Sequence, residues 1–488
     1  MRESLRLVFI LAVLTNACSP AASSPTQTPP SPFSFSTNQP SPTNTSRPAS
    51  SSATPNRELQ KASRRSLYAL DVTLDYAAHY LGVSQQIDYV NASSTPLNEL
   101  VLLVEAENMG AGFELSSLTG SGTGEFERQP GQIFVSLSDS LLPGESVLLE
   151  LNYGLALPER ASWLGWTERQ TNLIDWYPFI PPRNDEGGWL IHPAAIVGEH
   201  LVYESSDFEV NIHLQNAPAS AEIAAAAPAQ RNAQTWSYSL HNARRFAWSV
   251  SGQYQIFQTE RNGIPISAYL FAEHQFAGQA ALRNSADALA VFEQVFGPYP
   301  YESLSIVEGQ FEDGMESDAF FFLDRYYFQV YDGSSRNYLT TLSAHETAHN
   351  WWFGQVGSDQ ALEPWLDEAL ATYSELIFYE NAHPDQVDWW WQFRVASHSP
   401  NGPVDTTIYE TAFFSTYVGA VYLRGAQFLD EIRRTMGDEA FFGFLRDYAQ
   451  EENGRIVNTQ EFFRRLAEHN DGVAIRPMID EYFRLEDQ

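Results

Sequence analysis

The stretch Ala344-His345-Glu346-Thr347-Ala348-His349-Asn350-Trp351-Trp352-Phe353-Gly354, followed by Glu363-Pro364-Trp365-Leu366-Asp367-Glu368-Ala369-Leu370-Ala371, decides how the second half of this chain is read. The first element is H-E-x-x-H on a predicted helix, Leu339–Phe353. Residues four apart share a helix face, so the His345 and His349 imidazoles can reach one ion. Glu346, one residue on, can reach a water held by that ion. Two histidines do not complete a catalytic zinc site, which takes three protein ligands and leaves one position open. Pro364 suits the first turn of a second helix, and two helices joined by a short loop would bring Glu368 to the histidine pair. The rival reading is acidic and imidazole side chains on solvated helix faces. Trp351, Trp352 and Phe353 oppose it, because they bury the helix, and a buried charge requires a partner.

Working outward, Leu282, Ala286, Leu289, Phe292 and Phe296 recur at helical spacing, and Gly297-Pro298 ends that helix. A strand is predicted over 303–310. After Asn337 most segments read as helices, including 419–436, 439–450 and 459–469. The half before about residue 258 reads differently. Tyr68, Leu70, Val72, Leu74 and Tyr76 alternate with Leu67, Ala69, Asp71, Thr73 and Asp75, which gives one apolar strand face. Further strand-like runs follow at 100–105, 132–137, 147–153, 208–214 and 235–240. The expected organisation is therefore an all-β domain over 57–258 and an α-rich domain with a small sheet over 259–488.

Composition narrows the functions. The formal net charge of −33 argues against nucleic acid, whose phosphates require Lys and Arg, and against a polybasic membrane binder. Lys61 is the only lysine, which removes Schiff-base and phosphate-loop chemistry. Cys18 is the only cysteine, so the folded part has no disulfide and any metal site must use His and carboxylates.

Residues 1–18 have the shape of a signal peptide: Met1-Arg2-Glu3-Ser4-Leu5-Arg6, then an apolar run over 7–14 too short to span a membrane comfortably. Leu14-Thr15-Asn16-Ala17-Cys18-Ser19 resembles a bacterial lipoprotein signal, with the leucine one place further from the cysteine than is usual. The alternative is an ordinary cleaved signal with an incidental cysteine. Residues 19–56 are dominated by Ser, Pro, Thr and Ala and read as a disordered linker. The chain is accordingly expected in the cell envelope, exported and lipid-anchored to the membrane through Cys18, or otherwise secreted.

The residues 345–354 and 367–371 resemble the aminopeptidase N family of gluzincin zinc metallopeptidases, which includes leukotriene hydrolase. That family reads H-E-x-x-H-x-W-F-G and then an N-E-G-F-A-like element. Here an extra Trp precedes Phe353-Gly354, and Asp367 stands where Asn is usual. Two further marks follow. Asp313-Gly314-Met315-Glu316-Ser317 resembles the family's G-x-M-E-N loop, with only its middle residues matching. Tyr422-Leu423-Arg424-Gly425-Ala426 resembles its Y-x-K-G element.

The resemblance implies a saddle-like N-terminal β domain followed by a thermolysin-like catalytic domain. No long C-terminal helical domain is expected, since too little chain follows Glu368. It also implies one Zn2+ ion on His345, His349 and Glu368, and a zinc-activated water with Glu346 as general base. Tyr422 would donate to the oxyanion, with Tyr417 as the runner-up. Glu316 would hold the free N-terminal amine of a peptide substrate, and Gly314 would let backbone approach the peptide. Glu375 shares roughly the face of Glu368 and either orients a histidine ligand or is solvated. The expected function is a zinc aminopeptidase acting on peptides with a free N-terminal amine. Two alternatives stand beside it: a zinc endopeptidase or other hydrolase on the same scaffold, and a non-catalytic binding protein built on a peptidase fold.

Overall fold

The computed structural model describes residues 64–484 except 185, 233, 312, 313 and 471–474. The leader expected over 1–18 with Cys18, the linker over 19–56, Lys61 and Asp313 lie outside the described residues.

The first half is built from sheets. Leu67–Asp75 pairs antiparallel with Tyr80–Val90 and parallel with Ser206–Gln215. Thr235–Ala243 and then Gln230–Asn232 extend the sheet beyond Ser206–Gln215, while Ser146–Ala156 and Gly112–Gly120 extend it beyond Tyr80–Val90, giving seven strands. The alternation read from residues 67–76 is reproduced in the burial of Tyr68, Leu70, Val72 and Leu74, which form the core face. Leu97–Leu103, Gln132–Leu141 and Thr123–Gln129 make a three-stranded sheet. A four-stranded sheet joins Glu222–Ala225, Trp248–Ser251, Thr171–Leu173 and Leu164–Trp166. The run expected over 100–105 ends as a strand at Leu103, and Glu105–Asn108 turns as a short helix.

The second half opens with a five-stranded sheet in the order Gln255–Arg261, Ile264–Leu270, Leu304–Gly309, Phe320–Asp324, Met315–Ser317. The change of pattern expected at 258 falls inside the first of these strands. Between the second and third lies the helix Gln275–Phe296, whose buried face includes Leu282, Ala286, Leu289, Phe292 and Phe296. Gly297, at φ +106°, ends it in a conformation that side-chain-bearing residues rarely adopt. Met315–Ser317 is the edge strand, paired antiparallel with Phe320–Asp324, and it packs near the helix Tyr338–His349.

That helix carries the motif. Asn337 caps Tyr338–His349 by accepting from the Thr340 N–H at 3.0 Å. The helix was expected to run on to Phe353. Instead the α-helical part stops at His349 and the chain widens into an i→i+5 turn over Asn350–Gln355, with Trp352 at non-helical dihedrals. The reason lies in packing. Trp351, Trp352 and Phe353 are all buried, and a Cβ on Gly354 would lie 2.3 Å from Tyr301 Oη, so only glycine passes there. The second helix is Trp365–Ala382, with Pro364 before its first residue and Asp367 and Glu368 in its first turn. The helix expected over 419–436 is likewise divided, into a wide turn at Gly419–Arg424 that carries Tyr422 and a regular helix at Gly425–Met436. Asp438–Glu451 and Thr459–His469 form as expected. Among the described residues no helix is long and apolar enough to cross a membrane.

Candidate active site

The helices Tyr338–His349 and Trp365–Ala382 bring three side chains together. His345 Nε2 lies 3.4 Å and His349 Nε2 3.8 Å from the same atom, Glu368 Oε2. The two imidazole rings are 4.8 Å apart and nearly perpendicular, at 81°. The far side of each ring is clamped. His345 Nδ1 lies 3.0 Å from Glu375 Oε1, and His349 Nδ1 lies 2.6 Å from Asp367 Oδ1. A proton shared with a carboxylate at Nδ1 leaves the Nε2 lone pair pointing inward, the tautomer that ligates a metal.

Both clamps are themselves fixed. Glu375 is fully buried and therefore is not the solvated residue that the sequence left open. Its carboxylate accepts from Arg394 Nη2 and Nε, each at 2.9 Å, and from Trp390 Nε1 at 2.9 Å. Asp367 Oδ2 accepts from Gln360 Nε2 at 3.0 Å, and the same amide reaches Glu199 at 3.1 Å. Without a metal, burial would lower the His345 imidazole, but Glu368 and Glu375 outweigh it and raise the group to about 9. Burial opposes His349 in the same way, and Asp367 leads the charges that carry it well above its ordinary value.

A divalent cation fits this set. Among the described residues, Glu368 Oε2 and Glu346 Oε2 are both buried without a hydrogen-bond partner. Unpaired buried carboxylate oxygens are costly, and a cation between them and the imidazoles removes the cost. The set of two imidazoles and one carboxylate is the donor chemistry of zinc with one position left open.

Glu346 sits beside the histidines and is almost completely buried. Burial, opposed in part by the histidines, pushes its carboxyl up to about 8. Gly314 packs directly on it: a Cβ there would fall 2.0 Å from Glu346 Oε1, so this position requires glycine. Glu316, Glu346 and His349 place ligand atoms within 4.8 Å of one another. Burial alone would raise the Glu316 carboxyl, but His349 and Arg245 hold it below the usual range. Arg245 Nη2 donates to the Glu316 carbonyl at 2.6 Å and lies 3.6 Å from its carboxylate. The Tyr422 ring lies parallel to His345, 6.0 Å away, and lines the same cavity of about 300 Å3 as Gly314, Glu316, Glu346 and the three metal-binding candidates. Tyr417, the alternative to it, is buried behind, where a Cβ on Gly198 would lie 2.7 Å from its hydroxyl.

The profile of the peptidase family M1 domain matches residues 280–482, the region that holds this constellation. The chain carries a peptidase family M1 domain. Aminopeptidase O of Mus musculus is 27% identical over 227 residues, which cover 39% of this chain and 27% of that protein. The match thus spans about a quarter of that relative's length. The fold agreement is wider. The M1 zinc metallopeptidase from Deinococcus radiodurans superposes with a TM-score of 0.61 at 20% identity, covering 88% of this chain and 96% of that one. A mutant of that enzyme bound to a Tyr-Ser-Ala substrate gives 0.59 at 19% identity, covering 87% and 95%. At these identities the likeness shows the fold: an N-terminal β-rich region followed by a helical M1 region.

The site also draws on residues that sequence reading passed over. Arg394 and Trp390 come from a segment with no motif; both donate to the buried Glu375 carboxylate, and Arg394 also lines the cavity. Arg245 and Glu199 come from the β-rich half. Burial, then the neighbouring Glu316 charge, raises the Glu199 carboxyl well above its ordinary range. Asp367 stood out only as a departure from the usual Asn. Its place beside Glu368 in a helix's first turn was the one available signal, because adjacent residues there point toward different ligands.

Proposed function

We propose that this chain is a zinc-dependent aminopeptidase that removes the N-terminal residue of peptides, with His345, His349 and Glu368 holding the ion. The observation that carries this reading is the closeness of two carboxylates with different environments. Glu346 is raised and Glu316 is lowered, and both lie within 4.8 Å of His349. A group pushed toward neutrality suits proton transfer, and a group held ionised suits a cation. Zinc, when bound, supplies Lewis acidity that acidifies water and polarises a carbonyl.

The chain's own residues do the rest. Glu346 takes the proton of the attacking water and passes it to the departing amine. Tyr422, stacked beside His345, donates its hydroxyl to the oxygen where negative charge develops. Glu316 pairs with the substrate ammonium, so the fixed distance from Glu316 to Glu346 limits the cut to the first residue. Glu375 and Asp367 hold the ligand imidazoles in register.

Chromogenic alanyl and leucyl amides, compared with their N-acetylated forms, test the reading. The expected result is chelator-sensitive release from the free amines alone, with Glu316→Ala raising KM by about tenfold or more through loss of a charge-assisted contact. Equal cleavage of acetylated peptides contradicts an exopeptidase and favours internal cleavage. Ser317, in the place of the usual Asn and with a buried hydroxyl lacking a hydrogen-bond partner, is the feature that favours that second reading. A protein without zinc and without turnover favours a binding role. Export with lipidation at Cys18 is a further part of the proposal. Radiolabelled palmitate should enter the wild-type chain and not Cys18→Ala.

A further inference from the structure

The catalytic cavity has two unlike ends, and the two imidazoles mark them. Glu316 and Glu346 gather within 4.8 Å of His349. Behind His345 stands Glu375, 3.0 Å from Nδ1, and behind Glu375 stands Arg394, so the guanidinium approaches the cavity from the His345 end. Two tyrosines stand at the same end. The guanidinium carbon is 6.0 Å from the Tyr338 ring, and the Tyr422 ring is 6.0 Å from His345. Arg394 is the one arginine or lysine among the described residues that line the cavity. His398 lines it too, but burial and then the Arg394 charge lower its imidazole, which leaves Arg394 as the standing cation once His345 and His349 hold the ion.

Glu375 occupies only part of this guanidinium. Nε and Nη2 donate to its carboxylate at 2.9 Å each. Nη1 makes no hydrogen bond among the described residues and is not shut away from solvent. A guanidinium presents donors along more than one edge, so one edge can hold a protein carboxylate while another takes a carboxylate of a ligand. A chain of net charge −33 repels anions at long range, so a negatively charged group in this cavity requires a fixed cation beside it. The reach is short. Two hydrogen bonds, of 3.0 and 2.9 Å, separate the His345 ring from Arg394, and one residue of extended chain spans about 3.5 Å. A chain leaving the metal position toward His345 therefore meets Arg394 within about one or two residues. The cavity, at about 300 Å3, stands at the small end of ligand cavities and suits a short substrate.

We infer that Arg394 anchors a carboxylate carried by the residue that follows the cut, so the substrates are peptides in which an ammonium and a carboxylate flank the first peptide bond. Charges so placed complement the cavity, with Glu316 at one end and Arg394 at the other. Two sources present this chemistry: the α-carboxylate of a dipeptide, and an Asp or Glu side chain in second position. The inference rests on the aminopeptidase reading, which puts the ammonium on Glu316.

Four peptides separate the sources. Ala-Ala and its C-terminal amide differ only in the α-carboxylate, and the C-terminal amides of Ala-Asp and Ala-Asn differ only in the side-chain charge. Wild-type kcat/KM should favour the charged member of at least one pair by about tenfold or more, the scale of a charge-assisted hydrogen bond, and the pair that shows it names the source. Arg394→Met should bring that ratio close to unity, and Arg394→Lys should keep part of it. Each ratio is taken within one protein, so a lower zinc content or stability of a variant cancels. Absence of a preference in both wild-type pairs overturns the inference without any variant. A preference that survives Arg394→Met also overturns it, because another group, the metal included, then holds the carboxylate. A second readout needs no turnover. Calorimetric titration of the same pairs into zinc-loaded Glu346→Ala protein should show the charged member binding about tenfold tighter, and adding Arg394→Met should abolish the difference. If the wild type releases no N-terminal residue from any of these peptides or from an alanyl amide, the aminopeptidase reading fails, and the titration still decides the carboxylate site.

Discussion

Replacing Glu375 with Ala separates two roles that one buried carboxylate performs. It orients His345 through Nδ1 at 3.0 Å, and it neutralises Arg394 through two contacts of 2.9 Å inside the protein. Losing a carboxylate behind a metal-ligating imidazole costs about 10–100-fold in metal affinity, or about 1.4–2.7 kcal/mol. Leaving the buried Arg394 guanidinium unpaired costs stability by about 3–5 kcal/mol, because the charge stays desolvated without its counter-ion. The two effects come apart in the double variant Glu375→Ala/Arg394→Met. Removing both charges from a buried pair is often close to neutral, so the double variant should regain most of the lost stability while zinc binding stays weak. Thermal unfolding in excess chelator reports stability, and zinc titration against a chromophoric competitor reports affinity. Zinc affinity of Glu375→Ala within about twofold of wild type would refute the orienting role. Recovery of zinc affinity in the double variant would refute it equally, since it would show that strain around Arg394, not loss of the imidazole's partner, had disturbed the site.

Two further outcomes follow from the same geometry. Glu346→Ala should keep zinc content and substrate KM while kcat falls by about 10²–10⁴-fold, the range for losing a positioned acid–base group; steady-state kinetics with metal analysis checks both. Zinc affinity should rise with pH. His345 in the metal-free protein is raised to about 9 from 6.5, so its charged form adds stability below 6.5 and that contribution disappears as the pH climbs through 9. Below about 9 the ion must displace this proton and also that of His349, whose imidazole is raised too, so apparent affinity should gain about tenfold per pH unit for each proton displaced. Competition titrations at about pH 6, 7 and 8 that gave one constant affinity would contradict this.

The sequence made the metal-binding set legible because its geometry is local. His345 and His349 need only helical spacing, and Pro364 announces the helix that delivers Glu368. The strand face of Tyr68, Leu70, Val72 and Leu74 was legible for the same reason: period-two alternation survives folding unchanged. What surrounds the ligands was not legible, because it is made by tertiary burial. Glu375 could have faced water until Trp390 and Arg394 closed over it. Arg245 and Glu199 reach Glu316 from the β-rich half, and no spacing rule joins residues that far apart in sequence. The early end of the motif helix also escaped. Asn350–Phe353 reads as ordinary helix, and only the approach of Tyr301 to Gly354 shows why the chain widens there.

The most direct test of the central claim is the zinc content of the dialysed wild-type protein measured beside that of Glu368→Gln. Convergence of two imidazoles and one carboxylate on a single ion predicts about one zinc per wild-type chain, and a large loss when that carboxylate becomes an amide. A metal-free wild type, or a Glu368→Gln variant that retains its full zinc complement, would contradict it.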